Sequence, residues 1–342
     1  MDNNVKARLQ SVRLGEPQTY KNITILPLTV TADGSFCYHT LAEALATGVF
    51  TITEVSAAGS VPELLVTNRG PNPVLLVDGE ELAGAKQNRV LNTSILLKKA
   101  CETKIPVSCT ERGRWAHTSH AFSDSGNVMA YKSRSHKSGA VHASLEYCSA
   151  HHSDQGQVWS DIDFLYAKAG THSPTSAMSD IFKARQEELR KCDEIFHLVP
   201  NQVGLLALIN GLPAGLEIVS LYSAYSKLHS KLVRSYTLEG LLDSASQVSS
   251  PDTLEVQARK FLDAIHASEE RPFPSVGHGT DFCYRSTPVP QAGTSAPGQQ
   301  SPGVLGSALV HENEVIHAAF FSLDDQASPN LAFLRARRHF QE

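Results

Sequence analysis

Short apolar runs, rich in β-branched residues and closed off by turn residues, recur along this chain and restrict it to a sheet-based architecture. Residues 23–28, 50–55, 64–67 and 74–77 read this way. The last two flank Asn68-Arg69-Gly70-Pro71-Asn72-Pro73, a turn-rich connection. Runs this short bury a core only when paired in a sheet. Residues 203–219 read as a hairpin around Asn210-Gly211, a dipeptide that supplies the positive φ angles of a tight turn. Residues 304–310 and 315–321 read as a second hairpin around His311-Glu312-Asn313-Glu314. Runs joined by such turns pair antiparallel.

Three later stretches follow the helical period instead. Ser173-Pro174 offers a cap and a first-turn proline, and Met178, Ile181, Phe182, Leu189 and Cys192 follow at helical spacing, with Arg185 the polar break in the stripe. Leu221, Tyr225, Leu228 and Leu232 mark a second helix. A third opens at Ser250-Pro251 and aligns Leu254, Ala258, Phe261, Leu262 and Ile265. A short helix over residues 40–47 has Thr40 to cap it and Gly48 to end it. Residues 116–154 are rich in Ser, His and Gly without a period, and read as long loops with one or two short strands before structure returns at 157–166. The fold class expected is α+β and β-rich, with largely antiparallel sheets and a three-helix section in the C-terminal half. One domain is expected over residues 14–285, then a flexible Pro/Gly/Ser/Gln-rich loop over 286–303, then a hairpin over 304–322 that packs back on the domain.

Composition excludes several function classes. The apolar fraction of 41% and charged fraction of 19% are those of a globular protein with a substantial core. A net charge of -5 gives no reason to expect nucleic acid or anionic lipid as a partner. The one basic cluster, Arg335, Arg337 and Arg338, reads as a solvated end. No apolar stretch is long enough to span a bilayer, and residues 1–16 lack the apolar core of a secretory signal, so a cytoplasmic protein is expected. Cys37, Cys101, Cys109, Cys148, Cys192 and Cys283 are widely spaced and form no C-x-x-C pair, which reads as reduced thiols.

The run from Asp78 to Asn92 stands apart. It sets Glu80, Glu81, Lys86, Gln87, Asn88, Arg89 and Asn92 between strands, with glycines that let the backbone turn tightly. Carboxylates serve as general acid or base, Arg grips a phosphate or carboxylate through two parallel bonds, and Asn and Gln read both donors and acceptors. Residues 90–97 and 105–111 then read as two strands joined by a charged connector. Pairing Leu97 with Ile105 puts Ile95 opposite Val107, Thr93 opposite Cys109 and Glu111 opposite Leu91, diagonal to Arg89. Glu111, Arg114 and Trp115 thereby join the same patch. Two readings stand. In one, Lys86, Arg89 and Arg114 bind an anion, Glu80, Glu81 or Glu111 orient hydroxyls or act as acid and base, Gln87, Asn88 and Asn92 set specificity, and Trp115 stacks or packs. In the other, the patch is an internal salt-bridge network in a non-catalytic interaction module. Cys109 falls on the apolar face and reads as a core thiol. His117, His120, His142, His151 and His152 lie in aperiodic chain without the fixed geometry a metal requires, so no metal site is assigned.

Ser60-Val61-Pro62-Glu63-Leu64, the stretch from Gly79 to Arg89, and the stretch from Pro106 to Trp115 resemble signature segments of the ARG and rhodanese-phosphatase-superfamily-associated protein domain, where ARG denotes ADP-ribosylglycohydrolase. Gln157-Val158-Trp159 and Leu232-Val233-Arg234-Ser235-Tyr236 are similar to that family too, and the resemblance runs from about residue 14 to beyond 265. It implies no defined reaction and no named cofactor. Association with ADP-ribosylglycohydrolases points to a small-molecule metabolite of the ADP-ribose or NAD class as a candidate partner. Oligomeric state is not read from these residues.

Overall fold

The computed structural model describes residues 1–56, 59–243, 250–287 and 302–323. The chain divides into two compact units. One comprises the described residues among 1–35, 191–273 and 280–342; the other comprises those among 36–190 and 274–279. The sheets are antiparallel apart from one short parallel pair, and eight helices accompany them among the described residues. None of these helices is long and apolar enough to cross a membrane.

The first unit is built on a nine-stranded sheet. The hairpin Gln202–Ile209 and Leu212–Val219 forms its centre, and Asn210 and Gly211 at the turn take the positive φ angles their sequence implies. Gly303–His311 and Glu314–Leu323 form the second expected hairpin, with Glu312 and Asn313 at positive φ, and Glu314–Leu323 pairs with Leu212–Val219 in the same sheet. Leu206, Leu208, Leu216 and Ile218 pack with Val5 and Leu9 of helix Asn3–Ser11 and with Leu254, Phe261 and Ile265 of helix Pro251–His266. Ser250 caps the latter helix as expected. Helix Tyr222–Leu242 buries Tyr225, Leu228 and Leu232. Its Gly240 lets it close on the alternate residues of the strands, since a Cβ there would lie 2.5 Å from Cγ1 of Ile23.

The second unit holds the Asp78 to Asn92 run. Its six-stranded sheet runs in the order Phe122–Val128, Glu80–Gly84, Arg89–Leu91, Cys101–Cys109, Glu63–Asn68 and Phe50–Glu54. A three-stranded sheet joins Ile95–Leu97, Val74–Leu76 and His39–Thr40. Leu64, Val66, Leu76, Leu82, Leu91, Ile95, Ile105 and Val107 belong to one apolar core. Helix Leu41–Ala46 carries a full capping box between Thr40 and Glu43.

Three expectations are corrected here. Residues 90–97 are not one strand. The chain breaks at Asn92-Thr93-Ser94, so Arg89–Leu91 pairs with Cys101–Cys109 while Ile95–Leu97 leaves for the other sheet and pairs with Val74–Leu76. Leu91 therefore lies opposite Val107 and Arg89 opposite Cys109, a four-residue slip from the expected register. An even slip leaves every side chain on its original face, so apolar alternation alone cannot distinguish the two registers. Residues 116–154 are not mainly loop. They hold the strand Phe122–Val128 and the helix Tyr131–Cys148. The expected helix after Ser173-Pro174 begins only at Met178 and is two helices, Met178–Ala184 and Gln186–Ile195, interrupted at Arg185. Ser173 Oγ instead donates to Asp180 and accepts from the backbone amide of Thr175. The loop expected over 286–303 and the arginines at 335–338 fall largely or wholly outside the described residues.

Helix Tyr131–Cys148 lacks an apolar stripe because its buried face is polar. Ser133, Arg134, Ser135, Lys137, Ser138 and Ser144 are all buried. Lys137 Nζ bonds Asp78 Oδ1 and donates to the Asn92 carbonyl at 2.9 Å, while Arg134 Nε lies 3.3 Å from Asp78 Oδ2. Burial pushes the Lys137 pKa below the usual lysine range, against the pull of Asp78. Gly79 takes φ +84°, and a Cβ there would meet Arg134 at 2.7 Å, so the turn and the helix fit only with glycine at this point. Removing one member of such a buried set leaves an uncompensated charge. Asp78→Asn is expected to lower the unfolding free energy by about 3–5 kcal/mol. Thr40→Ala, which removes one helix cap, should cost only about 1 kcal/mol. Urea denaturation of the two variants checks the ordering.

Candidate functional site

The sequence-derived residues separate into three groups. Glu111, Arg114, Asn88 and Asn92 are held by the protein itself. Arg114 Nη2 donates to Glu111 Oε2 at 2.6 Å and to Asn88 Oδ1 at 3.1 Å, and Nη1 donates to the Ala85 carbonyl at 2.7 Å. The Asn88 amide adds a bond to Glu111 Oε2 at 3.2 Å. Burial alone would raise the Glu111 pKa, but the bonds from Arg114, Thr175 and Asn88 outweigh it and hold the carboxyl below its ordinary value. Arg114 thus clamps the 84–88 turn to the chain after Cys101–Cys109. Asn92 accepts from Ser108 Oγ at 2.6 Å and donates to the His151 carbonyl at 3.0 Å. Glu111 does not lie opposite Leu91 as expected, since Leu91 pairs with Val107; beyond the end of Cys101–Cys109 it forms an isolated bridge with Ala177.

Glu80 and Glu81 are completely buried. Glu80 Oε2 accepts from the Val77 amide at 2.8 Å, closing the turn around Asp78-Gly79. Glu81 accepts from Thr110 Oγ1 at 3.0 Å and from Asn127 Nδ2 at 3.4 Å. Burial raises its pKa to about 7, only partly opposed by bonds from Ser125, Thr110 and Asn127.

Arg89 anchors the third group. It is completely buried, and Nη1 donates to the Gln87 carbonyl at 3.2 Å and to Gln87 Oε1 at 3.1 Å. Its other edge differs. Nε and Nη2 make no hydrogen bond among the described residues, and neither do Oε1 and Oε2 of Glu54. Nη2 lies 3.9 Å from Glu54 Oε1, an ion pair too long for a hydrogen bond. The Trp115 ring covers this corner, 5.8 Å from the Arg89 guanidinium carbon and 5.3 Å from Lys86 Nζ, and is 50% exposed. Cys109, paired with Arg89 across the sheet, is buried, and burial raises its thiol pKa while Arg89 pulls it down, consistent with an inert core thiol.

Sequence reading missed Glu54, Arg134 and Lys137. Glu54 ends the edge strand Phe50–Glu54, where a carboxylate looks like an ordinary solvated terminus. Arg134 and Lys137 stand one helical turn apart, a spacing that could have marked them. The six cysteines are free thiols, with Cys109, Cys192 and Cys283 buried. No group of His, Cys, Asp and Glu side chains among the described residues could hold a metal ion.

Glu81 yields a pH test. Its folded pKa of about 7 exceeds the ordinary 4.5, so between these values the folded state holds a proton that the unfolded state has lost. Its contribution to stability therefore falls as pH rises from 4.5 to about 7 and is flat on either side. Glu81→Gln is expected to gain on wild type across that window by on the order of 3 kcal/mol. Denaturation midpoints of the two proteins at pH 4.5, 6 and 8 measure it, and a difference independent of pH contradicts the assignment.

Comparison with known proteins gives one match. The family model described as the ARG and Rhodanese-Phosphatase-superfamily-associated Protein domain matches residues 11–321. Neither the curated proteins nor the solved structures include a match to this chain. The matched span takes in the polar run, the Arg114 clamp and all but the last two residues of the final hairpin, and the chain belongs to the ARG and Rhodanese-Phosphatase-superfamily-associated Protein domain family.

Proposed function

We propose that this domain binds a phosphorylated or nucleotide-derived metabolite of the ADP-ribose class at the corner formed by Arg89, Lys86 and Trp115. The observation that carries this reading is the Nε and Nη2 edge of Arg89, buried without a hydrogen-bond acceptor beneath a half-exposed indole. That edge of a guanidinium matches two oxygens of a phosphate or carboxylate. Lys86 adds a second cation, and the Trp115 ring offers a face on which a flat base stacks. Arg89 itself is enclosed, so its free edge is reached only when the side chains around it move, with the Trp115 ring remaining as the stacking face. The family's named association with ADP-ribosylglycohydrolases favours the ADP-ribose class over other anions. Glu111 and Arg114, engaged with each other, serve as scaffold in this reading, and Glu80 and Glu81 lie within it. The partner is then a metabolite rather than nucleic acid or a membrane, and the reduced thiols accord with a cytoplasmic setting.

The alternative is a non-catalytic interaction module, and the mutual pairing of Glu111, Arg114 and Asn88 is what favours it. Ligand response separates the two. ADP-ribose, NAD and AMP are titrated by calorimetry and thermal shift into wild type and Trp115→Ala, a variant at an exposed position that keeps the fold. ADP-ribose is expected to stabilise wild type, and loss of the ring should weaken binding by about 10-fold or more, the weight of one stacked base. Absence of any wild-type response would falsify the metabolite reading and leave the interaction module.

A further inference from the structure

We infer that Glu54 selects ligands carrying a pair of adjacent hydroxyls, so that the Arg89 corner takes ribose-bearing phosphates in preference to phosphates alone. This rests on the proposed binding at that corner and adds the chemistry its ligand must present.

The Glu54 side chain is 5% exposed, and neither carboxylate oxygen accepts a hydrogen bond among the described residues. A buried carboxylate in this condition is costly unless something donates to it. Arg89 supplies positive charge nearby, but 3.9 Å is beyond hydrogen-bond reach. With the charge already balanced, neutral donors suit the two oxygens better than a further cation. Adjacent O–H groups on a sugar provide two donors at the spacing of the two oxygens of one carboxylate. The unengaged Arg89 edge asks for the opposite, an acceptor, and Lys86 over the same Trp115 ring supplies the further positive charge that an anionic acceptor needs beside Glu54. One ligand satisfies both when hydroxyls and a phosphate sit on the same small frame, as on a ribose phosphate.

Gly59 packs directly against this pair: it takes φ +82°, and a Cβ there would lie 3.3 Å from Lys86 Cδ, 3.4 Å from Lys86 Nζ and 3.5 Å from Glu54 Oε2, so the Lys86 ammonium and the Glu54 carboxylate approach the same backbone position. Glu54 also ends a strand with no hydrogen-bonded neighbour on its outer side among the described residues, and Phe122–Val128, the opposite edge of the same sheet, lies close to that strand. In this arrangement Trp115 stacks, Lys86 supplies charge, Arg89 grips the phosphate and Glu54 reads the hydroxyls.

The test compares AMP, 2′,3′-dideoxy-AMP and pyrophosphate by calorimetry on wild type and on Glu54→Gln. Wild type is expected to bind AMP about 10-fold or more tightly than the dideoxy compound, since a site built on hydroxyls leaves its carboxylate unmatched when they are missing. Glu54→Gln should narrow that gap while keeping its affinity for the dideoxy compound. Equal wild-type affinities for AMP and dideoxy-AMP overturn the inference, assigning the Glu54 donors to solvent, and leave nucleotide binding in place. Failure of all three probes to bind wild type overturns the binding proposal and this inference with it. The wild-type comparison decides the question even where Glu54→Gln fails to fold.

Discussion

Removing charge from water is the constraint around which the second unit is organised. Asp78, Arg134 and Lys137 are all buried, and so are Glu80, Glu81 and Arg89. Each such group is tolerated only where geometry supplies partners. The partners come from far apart in sequence. Lys137 crosses from a helix to reach both the Asp78 carboxylate and the Asn92 carbonyl, and so ties together the two ends of the polar run. The Gly79 φ angle, the break at Asn92 and the polar face of the helix Tyr131–Cys148 all serve that one arrangement.

The same constraint makes the Arg89 corner conspicuous. Where Arg114 engages three side chains and three carbonyls, Arg89 hydrogen-bonds only through its Nη1 side. The two arginines are close in sequence and opposite in circumstance. One stabilises a turn, while the other faces a carboxylate it does not quite reach. Charge content alone does not distinguish them; the hydrogen-bond inventory of each guanidinium does.

Much of what local chemistry controls was legible in the sequence, the Ser173-Pro174 cap being an exception. Asn210-Gly211, the Thr40 cap and Ser250-Pro251 all sit where turn and cap preferences place them, because those motifs satisfy backbone groups within a few residues. The sequence concealed whatever distant partners control. The helix Tyr131–Cys148 has no apolar period, since its inward face is solvated by Asp78 and Asn92 rather than by oil. The strand register misled for a related reason. Alternation fixes a face but is blind to an even slip, and the break at Asn92-Thr93-Ser94 carries no glycine or proline to announce it. In the candidate site, Arg89 and Trp115 were legible as residue types, but Glu54 became visible only once the sheet edge was assembled.

The break at Asn92-Thr93-Ser94 gives one short peptide to two sheets at once, with Arg89–Leu91 in the six-stranded sheet and Ile95–Leu97 in the three-stranded one. An insertion or deletion of a single residue there would therefore turn the side chains of one sheet or the other inside out, while moving the Asn92 carbonyl away from Lys137. Loops elsewhere absorb length changes by bulging into solvent. This one is buried and has no solvent to bulge into, and the Asn92 and Ser94 side chains are themselves bonded, so lineages descending from such a chain are held in length here and in the identity of those two residues.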